Sequence, residues 1–337
     1  MKQWITIWCL LAGSVVAQAQ KLSQIITVAA DGSGDHRTIQ GAINSIPDGS
    51  KIGYLIFIRN GIYHEKIYIE KPNITLEGES RDSTIIVASI ARDSWRCNHA
   101  DDWGGATLNV GANDLTLRNL TITNAYGFMQ TADVEIACAA DSTGKKVVRR
   151  NGHQMALRAM NCTRLRAFNC HFRSYGGDTV SPWNTEDGMW YFKDCIMEGS
   201  VDLYCPRGWA WAENCTFIAH SGTAIVWHDG SGNEDAKSVL LNCRFQGFDG
   251  FRLGRYHRDA QLYFIGCVFA ANMGDYAVAH APSGAALRWG HRVYFYACRK
   301  EGGNPYGWYR NRLPEGISVQ HITIDWVFGN RWSPHKS

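Results

Sequence analysis

Apolar and polar residues alternate along this chain in short runs, and the period of the alternation is two, that of a strand. Tyr54-Leu55-Ile56-Phe57-Ile58 is a continuous apolar run, which predicts a strand buried on both faces. Gly61 to Ile69, Asn73 to Gly78 and Leu115 to Ile122 each alternate and predict strands with one face in a core. Helical spacing shows in one short stretch, where Ile39, Ala42, Ile43 and Ile46 fall on one face. Thr38 is placed to cap that helix and Pro47 ends it, so it is expected to cover the open end of a solenoid.

From residue 167 onward a motif recurs: an apolar pair, a small or polar residue, Cys, then an apolar position. It reads Ala167-Phe168-Asn169-Cys170, then Phe192-Lys193-Asp194-Cys195, and returns at Cys215, Cys243, Cys267 and Cys298. The spacing of about 20 to 31 residues is that of one supersecondary unit per repeat. Long helical patterns between the repeats are absent, which disfavours a βαβ sheet. The expected fold is all-β, a right-handed parallel β-helix with a short N-terminal capping helix. Arg92 to Gly105 and Asp133 to Gly152 are expected to leave the coil as long loops. No low-complexity linker divides the chain, so residues 20–337 are read as one domain.

Composition narrows the compartment and the partners. Of 337 residues, 45% are hydrophobic and 19% charged, an ordinary globular balance. The net charge of +3 is too small to argue for nucleic acid or a membrane surface. Met1 to Ala19 reads as a secretory leader, with Lys2, an apolar run from Trp4 to Val16, and Ala17-Gln18-Ala19 before the expected cut at Gln20. The protein is therefore expected outside the cytoplasm, secreted or periplasmic, with no membrane insertion. Cysteines at one recurring strand position are expected to form an inward ladder of free thiols. Cys97 and Cys138 are the pair expected to bridge. Nothing in the spacing calls for zinc, and the loop from His228 to Asp235 reads as a solvated turn rather than a calcium site.

Candidate chemistry comes from the repeat. Asp178 lies eight residues past its cysteine and Asp202 seven past the next. Stacked coils are about 4.8 Å apart, so the two carboxylates should face one another. Mutual repulsion should raise the pKa of one, giving one acid and one nucleophile. Arg255 follows Gly254 and could hold one carboxylate through paired hydrogen bonds. Trp183, beside Pro182, is the aromatic best placed to stack on a sugar.

These residues carry a resemblance to the pectin methylesterases. Val28-Ala29-Ala30-Asp31-Gly32-Ser33-Gly34-Asp35 with Thr38-Ile39-Gln40 resembles the family's opening. Gly61-Ile62-Tyr63-His64-Glu65 resembles its Gly-x-Tyr-x-Glu segment. Gly176-Gly177-Asp178-Thr179-Val180, Gly199-Ser200-Val201-Asp202-Leu203 and Leu253-Gly254-Arg255-Tyr256-His257 resemble its two aspartate motifs and its arginine motif. The resemblance implies removal of methyl esters from galacturonate in pectic polysaccharide, without metal or organic cofactor and by a monomer. Asp202 would attack the ester carbonyl, Asp178 would serve as acid and then base, and Arg255 would orient Asp202.

The departures fall on the oxyanion and substrate walls. Gly177 stands where the family has a Gln donor, so Gly177→Gln is expected to raise the rate. A second Gln is matched by Gln154 or His153, and Gln154 is preferred because an amide is a permanent neutral donor. His257 stands in place of a Trp, with Tyr256 before it. Substrate contacts are thus expected at His153, Gly177, Trp183, Tyr256 and His257, with specificity shifted toward a branched or decorated pectin or with weakened activity. Two other readings stay open: a β-helix glycosidase or lyase, and a carbohydrate-binding solenoid without catalysis.

Overall fold

A computed structural model describes residues 24–335 except 224 and 229. The leader and its cleavage site lie outside the described residues. Among those residues, strands stack in three parallel sheets of ten, nine and eight strands. Each turn of the chain lays one strand in each sheet, so successive strands of a sheet are one coil apart. Side chains pointing inward from all three sheets form one continuous core.

The recurring motif marks one corner of the coil. The residue before each repeat cysteine has a positive φ: 48° at Asn169, 56° at Asp194, 54° at Asn214, 53° at Asn242 and 63° at Gly266. This left-handed bend turns the chain from the ten-stranded into the nine-stranded sheet. Asn, Asp and Gly tolerate it best, which explains the residue types at that position. Neighbouring corners also bond to each other: Asn169 Nδ2 donates to Asn119 Oδ1 at 2.9 Å, and Asn214 Nδ2 to Asp194 Oδ1 at 3.2 Å. The cysteine that follows turns inward. Cys170, Cys195, Cys215, Cys243 and Cys267 are buried and free, as the ladder predicts.

These corners also correct two predicted strands. Leu115 to Ile122 divides at Asn119 (φ 51°) into Thr116–Arg118 and Thr121–Asn124, which lie in different sheets. Gly61 to Ile69 likewise divides into Gly61–Tyr63 and Ile67–Ile69. The alternation runs through the corner, so periodicity alone does not reveal it.

Both ends of the solenoid wall are covered. Helix Ile39–Ser45 is capped by Thr38, whose side chain accepts from Gly41 N, and it buries Ile39, Ala42 and Ile43. Glu65 accepts from the backbone N–H of Ile39 and Gln40, both at 2.9 Å, which gives that motif glutamate a capping role. Near the C-terminus, helix Ile324–Phe328 sets Val327 and Phe328 among Met189, Tyr191, Trp209 and Trp211 on the outer face of the ten-stranded sheet. Trp211 is therefore packed, as its repeat position suggests. The two expected excursions carry a short helix, Arg92–Trp95, and an antiparallel hairpin of Val134–Ala137 with Lys145–Val148. A Cys97–Cys138 disulfide ties them together.

Candidate active site

A second corner, between the nine- and eight-stranded sheets, holds the acid pair. Asp178 and Asp202 are each the left-handed residue of their coil, with φ of 56° and 54°. Asp178 N donates to the Asp202 carbonyl at 3.0 Å, which locks one corner onto the next. Both side chains are almost fully buried.

The two carboxylates have different partners. Arg255, on strand Arg252–Tyr256 two coils beyond Asp202, grips it with both ends of the fork. Nε donates to Asp202 Oδ1 at 3.2 Å and Nη2 to Oδ2 at 2.8 Å. That bidentate bond fixes an ionised Asp202 in one orientation. His228, in register with Arg255 one coil earlier, places Nε2 4.0 Å from Asp202 Oδ2 and shares a 2.8 Å hydrogen bond with His257 Nδ1.

Asp178 sits in a basic ring. His153 Nε2 is 3.6 Å from Oδ1 and Arg92 Nη1 is 4.0 Å from Oδ2. Burial pushes the Asp178 acid up, but His153, Arg207, Arg92 and Arg158 outweigh it and hold the acid below the usual carboxylate value. The expectation that repulsion would raise it is therefore corrected, because four basic side chains crowd Asp178 from neighbouring coils. Arg158 and Arg207 are themselves buried, bonded to Ser181 Oγ at 2.7 and 3.3 Å, and Arg158 also meets buried Asp102 at 3.4 Å.

His153 has its tautomer dictated by Arg92. Arg92 Nη2 lies 2.9 Å from His153 Nδ1, and a guanidinium can only donate, so Nδ1 accepts and Nε2 carries the proton. That N–H is the neutral donor directed at the acid pair.

Gln154 is not brought to the groove. It is fully buried, its Oε1 accepts from Gly127 N at 2.9 Å, and its Nε2 donates to the Arg150 carbonyl. The amide ties helix Tyr126–Met129 to the chain after the hairpin, which removes it from the oxyanion wall. Tyr256 is corrected as well. Its ring is fully buried in the core and its hydroxyl bonds His291, so it does not face a substrate. At Gly177 an added Cβ would lie 2.3 Å from the Val201 carbonyl. Gly177→Gln would therefore push coils apart rather than restore a donor, contrary to expectation. Trp183 stays partly exposed, but the Arg207 guanidinium covers it at 3.9 Å from the ring centre. His257 stays at the groove through its bond to His228.

Arg92, Arg158, Arg207 and His228 escaped the sequence reading. Register holds the signal for two of them, since Arg158 pairs with Ser181 and His228 with Arg255. Arg92 comes from an excursion, where no register applies.

Fold and site together define a class: a parallel β-helix with two stacked acids at one corner and an arginine clamp on the second. The family model described as Pectinesterase matches residues 25–165. The chain is 30% identical over 239 residues to "Putative pectinesterase 11" of Arabidopsis thaliana, covering 68% of this chain and 58% of that one. Over 328 residues it is 24% identical to "Probable pectinesterase 67" of the same plant, covering 92% and 85%. It spans 35% to 58% of the length of the first three such relatives. The solved structure of a pectin methylesterase in complex with a hexasaccharide superposes with a TM-score of 0.71 at 22% identity, covering 93% of this chain and 99% of that one. The expected right-handed parallel β-helix is the fold the two share. The chain belongs to the pectinesterase family.

Proposed function

We propose that this chain is a carboxylic ester hydrolase that removes methyl esters from galacturonate units of pectic polysaccharide. One observation carries the reading: Asp202 is clamped through both oxygens by Arg255, while Asp178 stands one coil away in a different electrostatic setting. Such a pair can divide the labour of nucleophile and proton carrier.

Asp202 attacks the ester carbonyl carbon, and the oxyanion that forms is met by the His153 Nε2–H. The bond to methoxide breaks, and methoxide leaves as methanol with the Asp178 proton. Asp178, now a carboxylate, takes a proton from water as that water attacks the acyl group, which frees Asp202 and the galacturonate acid. Because the basic ring holds the Asp178 acid low, its protonated fraction shrinks as pH rises, and the first half-reaction slows with it. His257, Arg207 and Trp183 alter the substrate walls and favour a branched or decorated pectin. The leader motif supports export, to the periplasm or beyond, and the enzyme works as a monomer.

Incubation with highly methylated pectin tests this reading. Methanol should appear while polymer length stays constant. Shortening of the polymer would favour a glycosidase or lyase, and binding without release would favour a carbohydrate-binding solenoid.

A further inference from the structure

The largest cavity among the described residues, about 760 Å³, opens beside the acid pair on the hairpin side. Gly177 and Val201, each the residue just before an acid, form its floor, and His153 stands at the edge shared with Asp178. The outer wall comes from the two excursions that the Cys97–Cys138 bond joins.

Its lining is cationic. Arg92, Lys145, Lys146 and Arg149 face it against two acids, Asp93 and Asp141. Lys145 is engaged by Glu135 at 2.7 Å. Lys146 feels the Asp141 charge, yet neither Lys146 nor Arg149 has a side-chain hydrogen bond or ion pair within the protein. Arg92 keeps a buried Nε without an acceptor. Thr143, Asn151 and Thr223 add polar contacts of the kind sugar hydroxyls use.

We propose that this cavity binds the free carboxylate of a uronate carried by the same substrate molecule whose ester lies at Asp202. The inference rests on the esterase reading and adds the substrate's charge to it. A methyl ester is neutral and leaves the cations without a counter-charge, whereas a carboxylate pairs with them, so the cavity distinguishes acid from ester. The carboxylate can come from an unesterified unit of the main chain or from an acidic side branch.

The test uses the full-length Lys146→Ala/Arg149→Ala double variant, both positions lying outside the acid pair. Methanol release is compared on three oligosaccharides: fully esterified, linear with one free carboxylate, and esterified with an acidic branch. Wild type should favour one of the acid-bearing substrates, and that substrate names the source. The variant should lose about tenfold in kcat/KM on it and keep its rate on the fully esterified one. Equal wild-type rates on all three, or an equal loss on all three in the variant, would overturn the proposal. Calorimetry with free trigalacturonate, which carries no ester, separates the two readings. If methanol release fails but trigalacturonate binds about tenfold more weakly to the variant, the esterase reading falls and the cavity stands. If wild type and variant bind it alike, the cavity proposal falls whatever the turnover.

Discussion

Two corners of the same coil use one backbone conformation for opposite ends. At the first, positive φ falls on Asn169, Asp194, Asn214 and Asn242, whose side chains bond along the stack or face solvent, and the next residue is a buried thiol. At the second, positive φ falls on Asp178 and Asp202, whose carboxylates are buried among arginines and histidines. The left-handed bend makes a repeat able to stack, and by itself it carries no chemistry. Burial and charged partners turn the second corner into a site.

Substitutions at the second corner should hit turnover hardest. Asp202→Ala should lower kcat by about four powers of ten while circular dichroism stays native. Wild-type-like methanol release would remove Asp202 as nucleophile. His153→Ala should cost two to three powers of ten in kcat, roughly the weight of one oxyanion donor. Gln154→Ala should instead lower the melting temperature, because its amide braces the backbone. A larger kcat loss in Gln154→Ala than in His153→Ala would reverse the assignment made from Arg92.

The pH dependence sharpens the contrast further. Arg92→Gln removes one of the cations that hold the Asp178 acid low. The pH at which kcat declines should therefore move upward, and a downward move would contradict the basic-ring account. Stability supplies the companion test. Asp178 is depressed from 3.8, so the stability it contributes is present above that value and lost as pH falls through the lowered one. Acid unfolding of Asp178→Asn should lack that component.

First-corner substitutions should be the mildest. Asn214→Ala places a less tolerant residue at φ 54° and removes the bond to Asp194, so about 1 to 2 kcal/mol of stability should be lost in denaturant titration, with kcat unchanged. Asn214→Gly should recover part of it, since glycine accepts the bend.

The stacked acids, Arg255 and the Cys97–Cys138 bridge were legible in the sequence because each depends on repeat order or on a motif. Side-chain direction near the corners was not. Period-two alternation loses its phase at every left-handed residue, and a slip of one position exchanges inside for outside. That is how Gln154 came to be preferred over His153, and how buried Tyr256 passed for a groove residue. The basic ring was hidden for another reason. Arg92, Arg158 and Arg207 come from an excursion and two separate coils, and only stacking brings them round Asp178.

The central claim is that Asp202 forms an acyl intermediate which Asp178 helps water to cleave. An activated galacturonate ester, such as the 4-nitrophenyl ester, needs no acid to expel its leaving group. Mixed with Asp178→Asn, it should give a burst of one nitrophenolate per protein and then stall, with the galacturonyl group on the Asp202 peptide by mass spectrometry. Steady turnover without an adduct, or an adduct on another residue, would contradict the account.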